Sequence, residues 1–288
     1  MKTRTYLAFG LAAACAAGFG TRAAAGVFSN NVDMLVVAEQ MQAAPTPQGN
    51  PVTYVALDGG YIEAGDPIAG EGPPSADQVS QGLNAALASN GFRAAQGTPD
   101  IVVTYHWGVL RIDRTQIRVP YGIKTNLRAR IELVSTEKLG AEVENHILLR
   151  EKGTGSNDSV SSPAILAGQL ETVAQDSKYP RYFVVVSAYD YQSLVHHEAR
   201  LLWRTKLSAL ETEGPMDEVI PALIANGASY FGKNFNDLKE LTASLSKPAQ
   251  MAVPAAYAPP ALESLQLDKR FVDGLLKSEH VKISGVTD

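Results

Sequence analysis

The stretch SADQVSQGLNAALASNGFRAAQGTPDIVVTYHWG, Ser75–Gly108, changes its period within a few residues, and that change decides the class of fold. Ser75 followed three residues later by Gln78 forms a capping box, in which side chain and backbone satisfy each other's orphan donors. Ala76, Val79, Leu83, Ala86 and Leu87 then recur at helical spacing, and Asn90-Gly91 supplies a left-handed C-cap. The spacing predicts a helix over 75–90. From Asp100 the period becomes two, with Ile101, Val103, Tyr105 and Trp107 on one face of a strand and Val102, Thr104 and His106 on the other.

Upstream, Val52–Leu57 (VTYVAL) reads as a strand, and residues 59–74, rich in Gly and Pro, read as a long surface loop. Asn31 is placed to cap a short helix carrying Met34, Leu35, Val37, Ala38 and Met41, with 43–51 a Pro-broken linker. Downstream, 123–134 and 141–150 alternate and are read as strands joined by a turn at Gly140, and 152–162 is a polar loop. Ser162-Pro163 opens a helix with Ile165, Leu166, Leu170 and Val173 inward. Tyr182–Ala188 (YFVVVSA) is an apolar strand, and Ala199–Leu210 (ARLLWRTKLSAL) is its antiparallel partner across a turn at 190–198. Trp203 is expected in the core on the same face as Leu201, with Arg204 and Lys206 reaching solvent or pairing at the sheet margin. Gly214-Pro215 starts a helix with Asp217 and Glu218 opposing its dipole and a stripe of Ile220, Leu223, Ile224, Gly227, Ala228 and Phe231. That period runs on through Phe235, Leu238 and Leu245 unless Gly232–Asn234 breaks it.

This order predicts an α+β domain with a largely antiparallel or mixed sheet and helices packed mainly on one face. The chain divides into a signal peptide (1–25), a short N-terminal helix and linker (26–51), an α/β domain (52–246) and a Pro/Ala-rich tail with one short helix (247–288). The tail is read as separable, its Leu262, Leu265, Phe271, Val272, Leu275 and Leu276 docking either on the domain or on a partner.

The N-terminus carries Lys2 and Arg4, an apolar run from Tyr6 to Gly20, and Ala23-Ala24-Ala25 before Gly26. That pattern is a secretory signal, and the run is too short for a comfortable membrane span of about 20 residues. Cys15 follows Ala13-Ala14 but has Ala12 where a lipobox wants Leu, so two outcomes stay open: lipidation at Cys15, or ordinary cleavage near Gly26 with loss of the only cysteine. Removing residues 1–25 leaves 22 basic against 30 acidic residues. A net acidic, exported chain argues against nucleic acid and against charge-driven adhesion to anionic lipid; membrane association is expected only through a lipidated Cys15. With no cysteine pair, burial must hold the fold.

Three stretches resemble the bacterial domain of unknown function 4136 family of exported, often lipid-anchored envelope proteins. They are YVALDGGY with SADQVSQGLNAALASNGF, then PDIVVTYHWG, then YFVVVSAYD with ARLLWRTKLSAL, spanning about residues 52–232. The resemblance implies a compartment and a fold, and no reaction.

Candidate chemistry is sparse. His196-His197-Glu198 gathers metal-ligand types, yet neighbours on a strand point to opposite faces, and a zinc site needs three or four convergent ligands; the cluster reads as a solvated turn. His106 beside Trp107 reads either as a half-exposed sheet residue or as a polar group in a pocket with Tyr105 or the glycine-rich loop. No G-x-S-x-G and no phosphate loop is present. The expected catalytic, metal and cofactor residues are therefore none. The functional expectation is an exported noncatalytic envelope protein binding another envelope protein or lipid-linked component. The alternatives are a small-ligand binder or enzyme with a pocket near His106, and an auxiliary subunit of an envelope lipid-transport system.

Overall fold

A computed structural model describes residues 31–47, 50–68, 72–112, 125–151, 164–235, 238–245 and 260–285. The signal segment, Cys15, the polar loop 152–162 and the Pro-rich stretch 247–259 lie outside the described residues. Seven strands form one sheet: β1 (Asn31–Gln40), β2 (Val52–Ala64), β3 (Phe92–Ala94), β4 (Ile101–Leu110), β5 (Arg181–Asp190), β6 (Leu201–Leu210) and β7 (Lys239–Ser244). Their order is β3-β2-β4-β5-β6-β1-β7. β3, β2 and β4 run parallel, and every other pairing is antiparallel. The helices are α1 (Ala76–Ser89), α2 (Thr125–Leu133), α3 (Glu137–Glu151), α4 (Ala164–Asp176), α5 (Tyr191–Val195), α6 (Met216–Gly227) and α7 (Lys269–Ser284). The domain is α+β with a mixed, mainly antiparallel sheet.

The opening stretch folds as its periods require. Ser75 Oγ accepts from the Gln78 amide at 3.2 Å while Gln78 Oε1 accepts from the Ser75 amide at 2.9 Å, and Gly91 takes φ +82 just past the helix. On the β4 face toward α1 and α6, Ile101, Val103, Tyr105, Trp107 and Val109 join Val79, Leu83, Ile220 and Leu223 in the main core. Trp203 is fully buried there, its ring 6.0 Å from Phe92 and 6.2 Å from Phe231.

Several expectations are corrected. Residues 31–40 are a strand rather than a helix: β1 lies between β6 and β7, so an inward run such as Val36-Val37-Ala38 is buried on both faces and shows no alternation. β2 continues through Ala64, across the start of the expected glycine loop. The supposed strands at 123–134 and 141–150 are α2 and α3. Leu127, Ile131 and Val134 pack on one side of α2, and Gly140 lies inside α3, near enough to Ser135 that a Cβ would sit 2.8 Å from its hydroxyl. The helical period after Gly214 stops at Gly227, a short 3-10 turn follows at 228–230, and Lys239–Ser244 returns as edge strand β7. Leu201 and Trp203 do not share a face. Pairing jumps from Ala188 opposite Trp203 to Tyr189 opposite Leu201, and the bulge at Leu202 turns Leu201 toward the other face.

The helices lie mainly on one face of the sheet, with two on the other. α1 and α6 cover the main core; α2, α3 and α4 cover Leu35, Ile62, Leu110, Phe183 and Val185 on the second face; α5 and α7 cover Val55, Val102 and Tyr189 there. The sheet thus takes in β1 from the segment expected to precede the domain, and the tail helix docks intramolecularly on its second face. Among the described residues no helix is long and apolar enough to cross a membrane.

Candidate functional site

The second face is laid out in rows by the strand register. Val55, Val102, Tyr189 and Leu201 face one another across β2, β4, β5 and β6 in one row. Three rows further along, Ile62, Gly108, Phe183, Ser208 and Leu35 do the same. Between them run Leu57, Thr104, Ser187, Arg204 and Glu39, then Gly60, His106, Val185, Lys206 and Val37. A mostly polar band therefore crosses the middle of a covered sheet face, separating two apolar clusters. A core that only needed burial would put aliphatic residues here, since each buried polar group must find a partner or cost stability.

The partners come from two directions. At the β1 side, Lys206 Nζ pairs with Glu39 Oε2 at 3.0 Å and donates to the carbonyls of Glu132 (2.9 Å) and Ser135 (2.8 Å) at the end of α2. Glu39 Oε1 accepts from the Glu137 amide at the start of α3 at 2.8 Å. One ion pair thus serves a helix C-terminus with its cation and a helix N-terminus with its anion, the signs each dipole prefers. At the other side Glu279 of α7 supplies the partner. Its carboxylate, 3% exposed, accepts from Thr104 Oγ1 at 2.6 Å, Tyr189 OH at 2.7 Å and Arg204 Nη2 at 2.9 Å. Arg204 Nε also donates to Ser187 Oγ at 2.9 Å. Arg204 and Lys206, expected to reach solvent or to pair at the sheet margin, each pair with a carboxylate but do so largely enclosed in the middle of the sheet face.

His106 sits at the margin of this network with 1% of its side chain exposed, so it is a buried residue rather than a half-exposed one. Its Nδ1 lies 3.9 Å from Glu279 Oε2, and its Nε2 has no hydrogen-bond partner among the described residues. The ring lies directly over Gly59, where a Cβ would come within 2.3 Å of Nε2. β2 shifts register between Asp58 and Gly60, and Gly60 takes φ +91 to do so. Beside this bulge a cleft of about 430 Å³ opens between β2 and α7, lined by Gly59, Glu63, Lys277, His280, Val281 and Ser284.

Burial pushes the His106 imidazole below its ordinary value, against the opposing pull of Glu279. Burial raises Glu279, but Arg204 and the Thr104 and Tyr189 hydroxyls outweigh it and hold the carboxyl below its usual range. Both shifts are depressions, so each contributes stability above the unfolded value that is lost as pH falls through the folded one. Acidification from the free-histidine value of 6.5 therefore removes the His106 contribution first, and the Glu279 contribution follows below 4.5. A His106→Gln variant is expected to flatten the first part of the wild-type decline in melting midpoint as pH falls below about 6.5. Unchanged curvature there would show that the imidazole does not titrate as the packing requires.

The remaining candidates are dispersed. Tyr105 belongs to the opposite face, in the α1–α6 core, where burial pushes its hydroxyl up to about 12. His196 caps the end of α5 and His197 adopts φ +61 just after it, as a solvated turn requires. His197 Nε2 lies 3.5 Å from Asp268, the N-cap of α7, and its ring is 5.3 Å from Phe271. Among the described residues no three metal-ligand side chains converge. Sequence reasoning missed Glu279. The signal was present, because Val272, Leu275, Leu276 and Glu279 stand at i, i+3, i+4 and i+7, an acid in line with an apolar stripe.

No family model matches this chain, and no curated protein matches it. Among solved structures it is similar to a PelC dodecamer subunit from Paraburkholderia phytofirmans, at 11% identity over 69% of this chain and 99% of that one, with a TM-score of 0.29. It is also similar to a PDZ domain protein from Parabacteroides distasonis, at 9% identity over 75% of this chain and 40% of that one, with a TM-score of 0.35. Likeness at this level carries no functional argument.

Proposed function

We propose that this chain is an exported, noncatalytic cell-envelope protein that binds another envelope component through the sheet face beneath α7. The signal-like N-terminus and the resemblance to the domain of unknown function 4136 family support the compartment. One observation supports binding: Thr104, Tyr189 and Arg204 converge on a single carboxylate brought by a helix, in a band flanked by apolar rows. That is the composition of a recognition surface, with apolar margins for affinity and a few placed polar groups for orientation.

A second reading, a small-ligand binder, draws on the cleft beside Gly59 and on the Nε2 of the buried His106, which has no hydrogen-bond partner among the described residues. One experiment serves both. Native protein is crosslinked in intact envelopes, recovered, sequenced from its N-terminus and weighed under native conditions. The proposal expects a chain beginning near Gly26, or at a lipidated Cys15, crosslinked to an envelope partner. A retained small molecule without a partner would favour the second reading. A cytoplasmic chain retaining Met1 would contradict both.

A further inference from the structure

We propose that α7 occupies the polar band as a displaceable internal ligand, and that the band is a docking site for an amphipathic helix of another protein that presents a carboxylate as Glu279 does. This rests on the binding role proposed above and names the partner's chemistry and what controls access to it.

The contrast with α6 carries the argument. α6 buries Met216, Val219, Ile220, Ala222, Leu223, Ile224 and Gly227, as a core helix does. The fully buried residues of α7 are Val272, Glu279 and Ser284, two of them polar. Phe271, Leu275 and Leu276 are only partly covered. A buried ion pair adds little net stability because desolvation offsets its attraction, yet it fixes register and excludes partners lacking the charge. The packing beside α7 is also incomplete. The 430 Å³ cleft lies along it at β2, and a smaller pocket of about 50 Å³, reached by Arg204, Lys206, Lys282 and Ile283, lies toward α2.

Complementarity identifies the occupant. The band offers a guanidinium and two hydroxyls to one carboxylate, beside the apolar row of Val55, Val102 and Tyr189. An incoming helix must therefore carry apolar residues at i, i+3 and i+4 with Glu or Asp at i+7, the pattern of Val272, Leu275, Leu276 and Glu279. The sequence between β7 and α7 holds Pro248, Pro254, Pro259 and Pro260 among alanines, a composition suited to a tether. A tethered helix competes at a local concentration in the millimolar range, so access is regulated by that competition.

The test uses the whole chain with a protease site inserted between Ala255 and Ala256. After cleavage every residue remains present and the tether is gone. A fluorescent peptide of residues 260–285 is then added. The expected result is exchange of the labelled peptide for the resident fragment under native conditions, with a Glu279→Gln peptide competing roughly tenfold less well or worse. No exchange short of global unfolding, or equal competition by the two peptides, would overturn the proposal. The outcome is independent of the envelope crosslinking. Exchange without an envelope partner leaves the receptor face standing and removes the proposed role, whereas a partner without exchange does the reverse.

Discussion

Replacing Trp203 by alanine is expected to cost about 3–5 kcal/mol and lower the melting midpoint by roughly 10 °C. The indole is fully buried between Phe92 and Phe231, its ring stacked on the latter at an interplanar angle of 16°. It stands where β6, the strand after α1 and the segment after α6 meet, so three elements lose contacts together. Its Nε1 has no hydrogen-bond partner among the described residues, so the loss is one of packing. Trp203→Phe should therefore recover most of the stability, with the remaining deficit set by the cavity left behind. An unchanged midpoint in thermal unfolding of the alanine variant would place the indole outside the core.

Gly108→Ala carries the second large effect. Gly108 has φ +151, and a Cβ there would lie 1.9 Å from the carbonyl oxygen of Ile62, its cross-strand partner in β2. A backbone atom cannot swing aside as a side chain can. The substitution must push β2 and β4 apart next to the bulge at Asp58–Gly60, beneath the cleft and beside His106. About 3 kcal/mol or more is expected, combining overpacking with backbone strain. Gly97→Ala is the control, since nothing lies within 4 Å of a Cβ there, and it should leave the midpoint unchanged. Equal midpoints for the two variants in chemical and thermal unfolding would show that β2 and β4 do not approach as described.

The parts of the fold legible in the sequence are those that keep a period or a bounded apolar run. α1 and α6 each bury one stripe, β4 and β6 alternate apolar residues with Thr104, His106, Arg204 and Lys206 although both their faces are covered, and β5 is a short apolar run ended by a turn. β1 was not legible because pairing on both sides and cover on both faces erase its alternation. α2 was not legible because Arg128 and Arg130 alternate with Ala129 and Ile131 over a span shorter than two helical turns, where periods of two and of about 3.6 coincide. The site was half legible. Alternation puts Thr104 and His106 on one face of their strand and Arg204 on another strand, but nothing local says that Arg204 shares that face or that an acid 75 residues beyond Arg204 meets them there. That knowledge depends on strand order, on the bulge at Leu202, and on the return of the chain as α7.

Native-state hydrogen exchange of the whole protein tests the central claim most directly. If α7 is a separately docked layer held by Glu279, its amides from Val272 to Lys282 exchange through an opening much cheaper than the global unfolding that releases Tyr182–Ala188 of β5, and with a weaker denaturant dependence. If α7 and β5 instead exchange with the same free energy and the same denaturant dependence, α7 is an ordinary core helix, and the polar band beneath it is not a docking site.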